Sequence, residues 1–338
     1  GKYMNAVNNS FDIKRNTPVD MESLGIILPE NLKGKYSIKG FSNDHQFSEY
    51  IPKFNEKYVF EPSLRKHVLM WFDNPLDTSL WISGPTGCGK SSIVEQIAAR
   101  MNWGLMKVTA SPDLDMSSLL GSFRLKVDKL TGDQETVFHE GPLTIAYKHG
   151  LVFLIDEYDQ LEPSVANSLN GILEMGSLVI PETNECIHHH ENFRFAVTAN
   201  SNGTGDMTGN YSGVKPQNIA NLDRFMFVEA DYMPEKEERK LLASFLSDPE
   251  SHQLLTDGLI KLANDVRKST SATVTNFSST AISTRSLVNV VRRFDFMLRS
   301  KQPPVDILLD AWQLHISNRA PEDEKIALND MFNVYFKS

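Results

Sequence analysis

Apolar residues along the middle of the chain follow two different spacings, and their alternation predicts an α/β fold. Short apolar runs typical of buried strands lie at residues 80–82, 106–108, 151–155, 194–198 and 225–228. Between them, apolar residues recur at helical spacing over residues 91–101 and 163–175. Strands that alternate with helices predict a parallel sheet covered by helices on both faces.

Two segments with hairpin character interrupt this alternation. Residues 119–140 and residues 178–190 each place β-prone residues on both sides of a turn. The predicted fold class is therefore an α/β core that contains a parallel sheet and two β-hairpin insertions.

The two ends of the chain differ from its middle. Residues 1–55 are rich in Asn, Lys, Ser and Pro and carry only short apolar patches, which predicts an extended arm with a few anchor points. After Pro234, helical spacing alone remains, over residues 235–246, 254–267, 286–298 and 305–316. We therefore expect an arm over residues 1–55, an α/β core over residues 56–232 and a small all-α lid over residues 233–338.

A glycine-rich loop follows the first predicted core strand and precedes a predicted helix. It matches G-x-x-x-x-G-K-[ST] and is followed by a second serine: Gly84, Pro85, Thr86, Gly87, Cys88, Gly89, Lys90, Ser91 and Ser92. Such a loop wraps a phosphate with backbone N–H groups beside a helix N-terminus. Lys90 is expected to reach the β- and γ-phosphates of ATP, and the Ser91 hydroxyl to ligate Mg²⁺. A nucleophilic Cys88 would need a strongly lowered pKa, so a spacer is the simpler interpretation.

Polar side chains end two of the apolar strands. Asp156 and Glu157 follow residues 151–155, and Asn200 follows residues 194–198. The carboxyl ends of parallel strands share one edge of a sheet, which places these groups beside the phosphate loop. Asp156 is expected to hold Mg²⁺, Glu157 to activate the attacking water and Asn200 to position that water. An asparagine at a strand end is also a common turn residue.

Two arginines complete the candidate site. Arg224 directly precedes the strand at residues 225–228, and charge that develops on a transferred phosphoryl group needs such a cation, which a neighbouring subunit can supply. Arg285 opens a lid helix behind Ser283, a residue suited to capping. We expect Arg285 to couple the lid to the nucleotide, although a surface arginine is more often simply solvated.

Composition narrows the class of protein further. The chain of 338 residues has a formal charge of -9, which disfavours nucleic acid as a partner without excluding it. Two cysteines are too few for a disulfide framework, and the apolar runs are far shorter than the roughly 20 residues of a membrane span, so we expect a cytoplasmic protein. The tract at residues 188–190, three histidines, resembles a metal site, but neighbouring strand residues point to opposite faces and a solvated hairpin end is favoured.

At this point the residues resemble a known family. The phosphate loop, the acidic pair, Asn200, Arg224 and Arg285 occur in the order typical of AAA+ ATPases, and the two hairpins are similar to those of the group with a helix-2 insert and a pre-sensor-1 hairpin. That group holds the MoxR-type ATPases and the chelatase motors. Residues 93–103, 156–159 and 205–211 most resemble the CobS-type subunits of cobaltochelatase, and the likeness extends over roughly residues 40–338. A threonine at position 284 stands where relatives often have proline, next to an arginine that is kept.

The resemblance implies a ring of six copies, ATP at the subunit interfaces, Arg224 acting in trans and a partner with a von Willebrand A-type domain. It leaves the function open between three alternatives. The first is a motor that remodels a partner protein, with cobalt chelation as the named example. The second is a motor that acts on DNA in phage biology or defence, for which Arg124, Lys126 and Lys129 are candidate contacts. The third is a nucleotide-gated scaffold with little turnover, against which Glu157 and Arg224 argue.

Overall fold

The computed structural model describes residues 13–200, 222–272 and 282–337. Its strands are β1 (Thr17–Pro18), β2 (Lys39–Gly40), β3 (Ser79–Gly84), β4 (Leu105–Thr109), β5 (Gly121–Val127), β6 (Gln134–Glu140), β7 (Val152–Asp156), β8 (Ser177–Ile180), β9 (Glu185–His188), β10 (Arg194–Asn200) and β11 (Phe225–Glu229). Its α-helices are α1 (Pro62–Asp73), α2 (Lys90–Arg100), α3 (Met116–Leu120), α4 (Pro142–His149), α5 (Pro163–Met175), α6 (Glu235–Ala243), α7 (Gln253–Ala272), α8 (Thr284–Met297), α9 (Pro304–His315) and α10 (Glu322–Phe336).

Five strands form a central parallel sheet in the order β11-β3-β10-β7-β4. The predicted strands are thereby confirmed, together with their parallel arrangement. Residues 152–155 are fully buried, as expected for a strand covered on both faces of a parallel sheet. Asn200 pairs in register with Gly84, and Asp156 pairs with Thr109. The polar ends of the strands therefore meet at one edge of the sheet.

Helices cover both faces of this sheet. On one face α1 and α2 pack around Trp71, Phe72 and Trp103, and on the other α4 and α5 pack around Tyr147 and Phe153. The two apolar clusters account for the strict burial of the strands between them.

The N-terminal segment contributes to the first of these clusters. Its short strands β1 and β2 pair antiparallel, and Val19, Leu24 and Phe41 are buried beside α1 and α2. The Arg100 side chain of α2 fastens this segment further, because its Nε donates a hydrogen bond of 2.7 Å to the carbonyl of Ser23. The apolar patches of this segment thus act as anchors, while a domain boundary at residue 55 stays a prediction.

Both hairpin insertions are confirmed. Strands β5 and β6 pair over their whole length, and β8 pairs with β9. The first hairpin carries exposed apolar side chains at Phe123, Leu125 and Leu130. The second is anchored by Leu178 and Ile187, which are buried in the cluster under α4 and α5.

The described residues after β11 form helices and the turns between them, as predicted. Helices α6–α10 surround a separate apolar cluster whose largest members are Trp312, Phe294 and Phe332. Helix α10 was not predicted, because within it only Leu328 and Phe332 are buried and the apolar stripe is correspondingly narrow. Nowhere in the described ranges is there a helix of the length and apolarity needed to cross a membrane.

Candidate functional site

The loop between β3 and α2 has a backbone that requires glycine. Gly87 and Gly89 have φ values of 77° and 88°, in the left-handed region that L side chains rarely adopt. Gly89 is also the residue before the first turn of α2. The N-terminal N–H groups of this helix have no partner within the helix, so the loop and the helix together offer donors to an anion.

Lys90 is the first residue of α2, directly after this loop, and is 7% exposed. Its Nζ donates to the carbonyls of Gly84 and Pro85 at 2.9 and 2.8 Å, and to Oδ1 of Asn200 at 3.1 Å. Burial lowers the pKa of Lys90, and the neighbouring acidic groups Asp156 and Asp159 oppose that shift. The ammonium is therefore held at the strand ends by neutral oxygens that a phosphate oxygen can replace.

The acidic pair at the end of β7 is tied to β10 by a single hydroxyl. Thr198 Oγ1 donates to Oδ1 of Asp156 and accepts the backbone N–H of Glu157 at 3.1 Å. Glu157 itself has φ 56° and ψ 43°, a left-handed conformation that costs a non-glycine residue on the order of 1–3 kcal/mol. This conformation turns the chain after Asp156 into the short helical turn Tyr158–Gln160.

Asn200 ends β10 between these groups. Its Oδ1 accepts from Lys90, and its backbone N–H donates to Oδ1 of Asp159 at 3.3 Å. The side-chain amide is thereby placed beside the ammonium and one strand away from the acidic pair.

A cavity of about 490 Å³ opens over these residues, between the sheet edge and the helical part of the chain. Its core wall consists of residues of the loop, of the start of α2, of β4 and of the ends of β7 and β10: Thr86, Gly87, Cys88, Gly89, Lys90, Ser91, Ser92, Lys107, Asp156, Glu157, Thr198 and Asn200. Its lid wall consists of residues from the segment before α6, from α6, from the turn after it and from the start of α8: Met233, Leu241, Phe245, Ser283, Thr284, Arg285 and Val288. Asn55 and Tyr58 close the side between them. A volume of this size is typical of sites for small molecules.

The structure brings Arg285 to this cavity but not Arg224. The Oγ of Ser283 accepts the backbone N–H of Ser286 at 3.0 Å, which caps α8 and sets the direction of its first turn, where Arg285 lies. Arg224 precedes β11 at the far end of the sheet, where its Nη2 lies 2.6 Å from Oε1 of Glu174 and its side chain is 37% exposed.

Sequence reasoning missed two polar residues of the site. Thr198 faces the same side of β10 as Asn200, two residues away, and a polar residue inside an otherwise apolar strand was the available signal. Lys107 of β4 places its Nζ 2.9 Å from Oε1 of Glu95 and 3.8 Å from Oδ2 of Asp156. It adds a second lysine to the cavity, and its position became visible only through the pairing of β4 with β7.

The donor set fits Mg²⁺ bound together with phosphates. Ser91 supplies a hydroxyl and Asp156 a carboxylate on the same wall, and Mg²⁺ is commonly held by one or two such oxygens plus phosphate and water. Within the described residues, no group of three or more His, Cys, Asp or Glu side chains is arranged to hold a metal ion. The histidines at 188–190 belong to the end of the second hairpin, where the rings of His189 and Tyr147 lie 5.4 Å apart.

Both cysteines are free thiols. Cys186 is exposed, whereas burial raises the pKa of the Cys88 thiol. A neutral thiol in the phosphate loop agrees with a spacer and not with a nucleophile. Residues 205–211, which carried part of the family resemblance, lie outside the described residues.

Comparison with known proteins agrees with this geometry. Residues 79–215 match the family model described as AAA domain (dynein-related subfamily). The chain is 33% identical over 197 residues to the aerobic cobaltochelatase subunit CobS of Sinorhizobium sp. The aligned region covers 58% of this chain and 58% of CobS. It is 32% identical over 216 residues to an uncharacterized protein of Staphylococcus epidermidis, and this aligned region covers 64% of this chain and 77% of that protein.

Two solved structures of low sequence identity are also similar. NtrX of Brucella abortus in complex with ADP is 16% identical, with 83% of this chain and 64% of that chain covered and a TM-score of 0.48. A RuvB mutant of Thermotoga maritima is 15% identical, with 78% and 73% covered and a TM-score of 0.45. At such scores these likenesses add nothing to the fold described above.

The chain spans only 58% of CobS, so the activity of that whole protein does not transfer with the match. What the matches carry is the family, and with it nucleotide binding. The resemblance seen in the sequence is confirmed: the chain belongs to the AAA family of ATPases and is a homologue of CobS.

Proposed function

We propose that the chain hydrolyses ATP in the cavity between core wall and lid wall, at the interfaces of a ring built from copies of itself. The observation that carries this proposal is the meeting of a phosphate loop, an acidic strand end and a polar strand end at one sheet edge. Arg224 lies outside the cavity of its own chain, which supports a site that a neighbouring copy completes.

Residues of the core wall bind the phosphates. The loop 84–91 supplies N–H donors, and Lys90 turns from its carbonyl acceptors to the β- and γ-phosphate oxygens. Ser91 and Asp156 would hold Mg²⁺, which when bound neutralises phosphate charge and orients the phosphates for transfer. Thr198 keeps the Asp156 carboxylate in one orientation through its hydroxyl. Ser92 follows in the first turn of α2 and lines the same wall.

The remaining polar groups handle the attacking water and the developing charge. Glu157 accepts a proton from the water, and Asn200 holds the water in line with the γ-phosphate through its amide. Arg285 reaches the phosphates from the lid wall. Arg224 of a neighbouring copy stabilises the charge that develops on the γ-phosphoryl group.

The same proposal assigns the parts of the chain. Residues 56–232 form the nucleotide-binding core, residues 233–338 the lid, and residues 1–55 an arm that anchors to the core. The family resemblance implies six copies in the ring and a partner with a von Willebrand A-type domain in the cytoplasm. CobS is named as a subunit of a cobaltochelatase, and this supports a motor that remodels a partner protein, with cobalt chelation as one example.

The DNA-acting alternative depends on the hairpin β5–β6. Arg124 and Lys126 are exposed on the same strand, but Lys126 pairs in register with Glu135, and Asp128 and Asp133 lie at the turn. Acidic groups interleaved with the basic ones weaken a phosphate-binding stripe. The chemistry of this hairpin therefore favours a protein partner over DNA.

The decisive experiment mixes two inactive variants. Glu157→Gln should retain ATP binding and lose turnover by about 10²–10⁴-fold, the range for a general base. Arg224→Ala should lose about 10³–10⁵-fold, the range for an arginine finger, with nucleotide affinity nearly intact. A mixture of the two should regain turnover, because an intact Glu157 can face an intact Arg224 across an interface.

The controls are an exposed lid arginine and added DNA. Arg293→Ala removes an exposed guanidinium of α8, whose Nε lies 3.5 Å from Nε2 of His315 outside the cavity, and should leave turnover per subunit unchanged. A mixture that stays as inactive as its components would contradict a shared site. Turnover that requires duplex DNA and disappears with rising salt would favour the DNA-acting motor. A wild-type chain that binds ATP but shows no turnover at any concentration would favour the scaffold.

A further inference from the structure

The lid contains a buried ion pair that the proposed mechanism does not use. Arg267 of α7 donates from Nη1 and Nη2 to the two carboxylate oxygens of Glu238 of α6, at 2.9 and 3.0 Å. The two side chains are 4% and 0% exposed. A buried ion pair contributes little net stability compared with apolar residues of the same volume, although losing one partner is costly. Such a pair therefore calls for an explanation through the geometry that it imposes.

Glu238 of this pair contacts the helix that carries Arg285. Thr284 Oγ1 donates to Oε2 of Glu238 at 2.7 Å. Thr284 is the first residue of α8 and stands between the capping Ser283 and Arg285. Glu238 thereby fixes the first turn of α8, and with it the point from which Arg285 enters the cavity.

Arg267 of this pair is connected to the phosphate loop through Tyr232. The guanidinium carbon of Arg267 lies 4.4 Å from the centroid of the Tyr232 ring, and the Tyr232 hydroxyl donates to the carbonyl of Thr86 at 3.3 Å. Burial raises the pKa of Tyr232, so the hydroxyl keeps its proton and remains a donor. The phosphate loop and the start of α8 lie close together, since a Cβ added to Gly87 would lie 2.6 Å from Cβ of Ser283.

We propose that Glu238, Arg267 and Tyr232 are positioning residues that join the phosphate loop to the start of α8 and so place Arg285 over the bound phosphates. The proposal rests on the function proposed above. A shift of Thr86 when phosphates enter the loop passes through Tyr232 to Arg267 and through Glu238 to Thr284. Loop and lid then respond to the nucleotide together.

The test uses variants that leave the ion pair intact. Thr284→Val removes one hydroxyl and keeps the shape of the side chain, and Thr284→Ser restores the hydroxyl. Tyr232→Phe removes the donor to Thr86 and keeps the ring under Arg267. We expect Thr284→Val to lower kcat about tenfold, the loss typical of a hydrogen bond to a charged group, and to weaken ATP binding a few-fold. Because the buried Glu238 carboxylate loses a donor, Tm should also fall. Thr284→Ser should recover most of that loss.

A double-mutant cycle separates positioning from stability. If Thr284 and Tyr232 act through Arg285, their effects should largely disappear in an Arg285→Met background, because the group that they position is absent. Additive effects in that background, or unchanged kcat in both single variants, would overturn the proposal. A role in stability alone would lower Tm in both backgrounds and leave kcat unchanged.

The same cycle can be read in the affinity for a fluorescent ATP analogue. A wild-type chain without turnover would contradict the proposed function alone, since the coupling would still be measurable in this affinity. Additive affinities would contradict the positioning role whether or not the chain hydrolyses ATP. The two failures are therefore distinguishable.

Discussion

The core wall and the lid wall face the same cavity but are held by different kinds of contact. On the core wall, side chains of the strand ends and of the start of α2 bond directly to one another, as Lys90 does to Asn200 and Thr198 does to Asp156. On the lid wall, the position of Arg285 is set by the first turn of α8, which Glu238 holds through its hydrogen bond with Thr284. The core wall is thus part of the central sheet and the loop beside it, whereas the lid wall belongs to helices outside the sheet.

This difference separates two tasks. Groups that must meet the phosphates within a few tenths of an ångström gain from the rigidity of a buried parallel sheet. A wall attached through a few contacts can approach and withdraw, and such motions accompany binding and release in many enzymes. We therefore expect substitutions in the core wall to abolish function and substitutions in the lid wall to scale it.

The largest effect on ATP binding is expected from Lys90→Met. The change removes the ammonium at the centre of the core wall while keeping most of the side-chain length. Loss of two charge-assisted hydrogen bonds should weaken ATP binding by at least about 100-fold. Titration with a fluorescent ATP analogue measures this loss.

Lys240→Met is the matched control for this substitution. It makes the same change at an exposed position of α6, outside the cavity, and should leave affinity as it is in the wild type. An Lys90→Met chain that binds ATP as tightly as the control would show that the core wall does not bind the phosphates.

The core wall was largely predictable from the sequence, because its residues stand in a glycine-rich loop or directly follow apolar strands. Asp156 and Asn200 needed no more than the rule that parallel strands end at one edge. Thr198 and Lys107 were missed, since their contacts depend on which strands become neighbours. That information lies in the pairing of β7 with β10 and with β4.

The lid wall was much less predictable. Helical spacing indicated most of its helices, and Ser283 indicated the start of α8. The ion pair of Glu238 with Arg267 joins residues of two helices, and no local pattern distinguishes these two side chains from solvated ones. Their burial follows from how α6, α7 and α8 pack, which is decided by the tertiary fold.

An intermediate effect is expected from Arg285→Met in the lid wall. One cation of the site is removed while the Lys90 ammonium and the loop donors stay in place. Turnover should fall about tenfold, the contribution of one charged hydrogen bond, and the affinity for ATP should change less. Steady-state kinetics together with analogue titration give both numbers on the same preparation.

An affinity loss as large as that of Lys90→Met would contradict the division between the walls. It would mean that the lid holds the phosphates as firmly as the core does. Unchanged kinetics would instead leave Arg285 as a solvated residue at the rim of the cavity.

The smallest effect is expected in the reactivity of the Cys88 thiol, which belongs to the core wall. Only the thiolate is alkylated, and burial raises the pKa of Cys88, so at about pH 8 its labelling should be slower than that of the exposed Cys186. The sign of the pH dependence follows from the same shift: labelling of Cys88 should keep rising with pH because its thiolate forms at higher pH.

Bound ATP should slow the labelling of Cys88 a few-fold further, by filling the cavity and drawing the lid wall inward, and should leave Cys186 unaffected. Mass spectrometry of the two cysteine peptides measures both rates in one sample. Equal rates for the two thiols, with or without ATP, would mean that the lid wall does not cover the phosphate loop, and the comparison between a fixed wall and a movable one would fail.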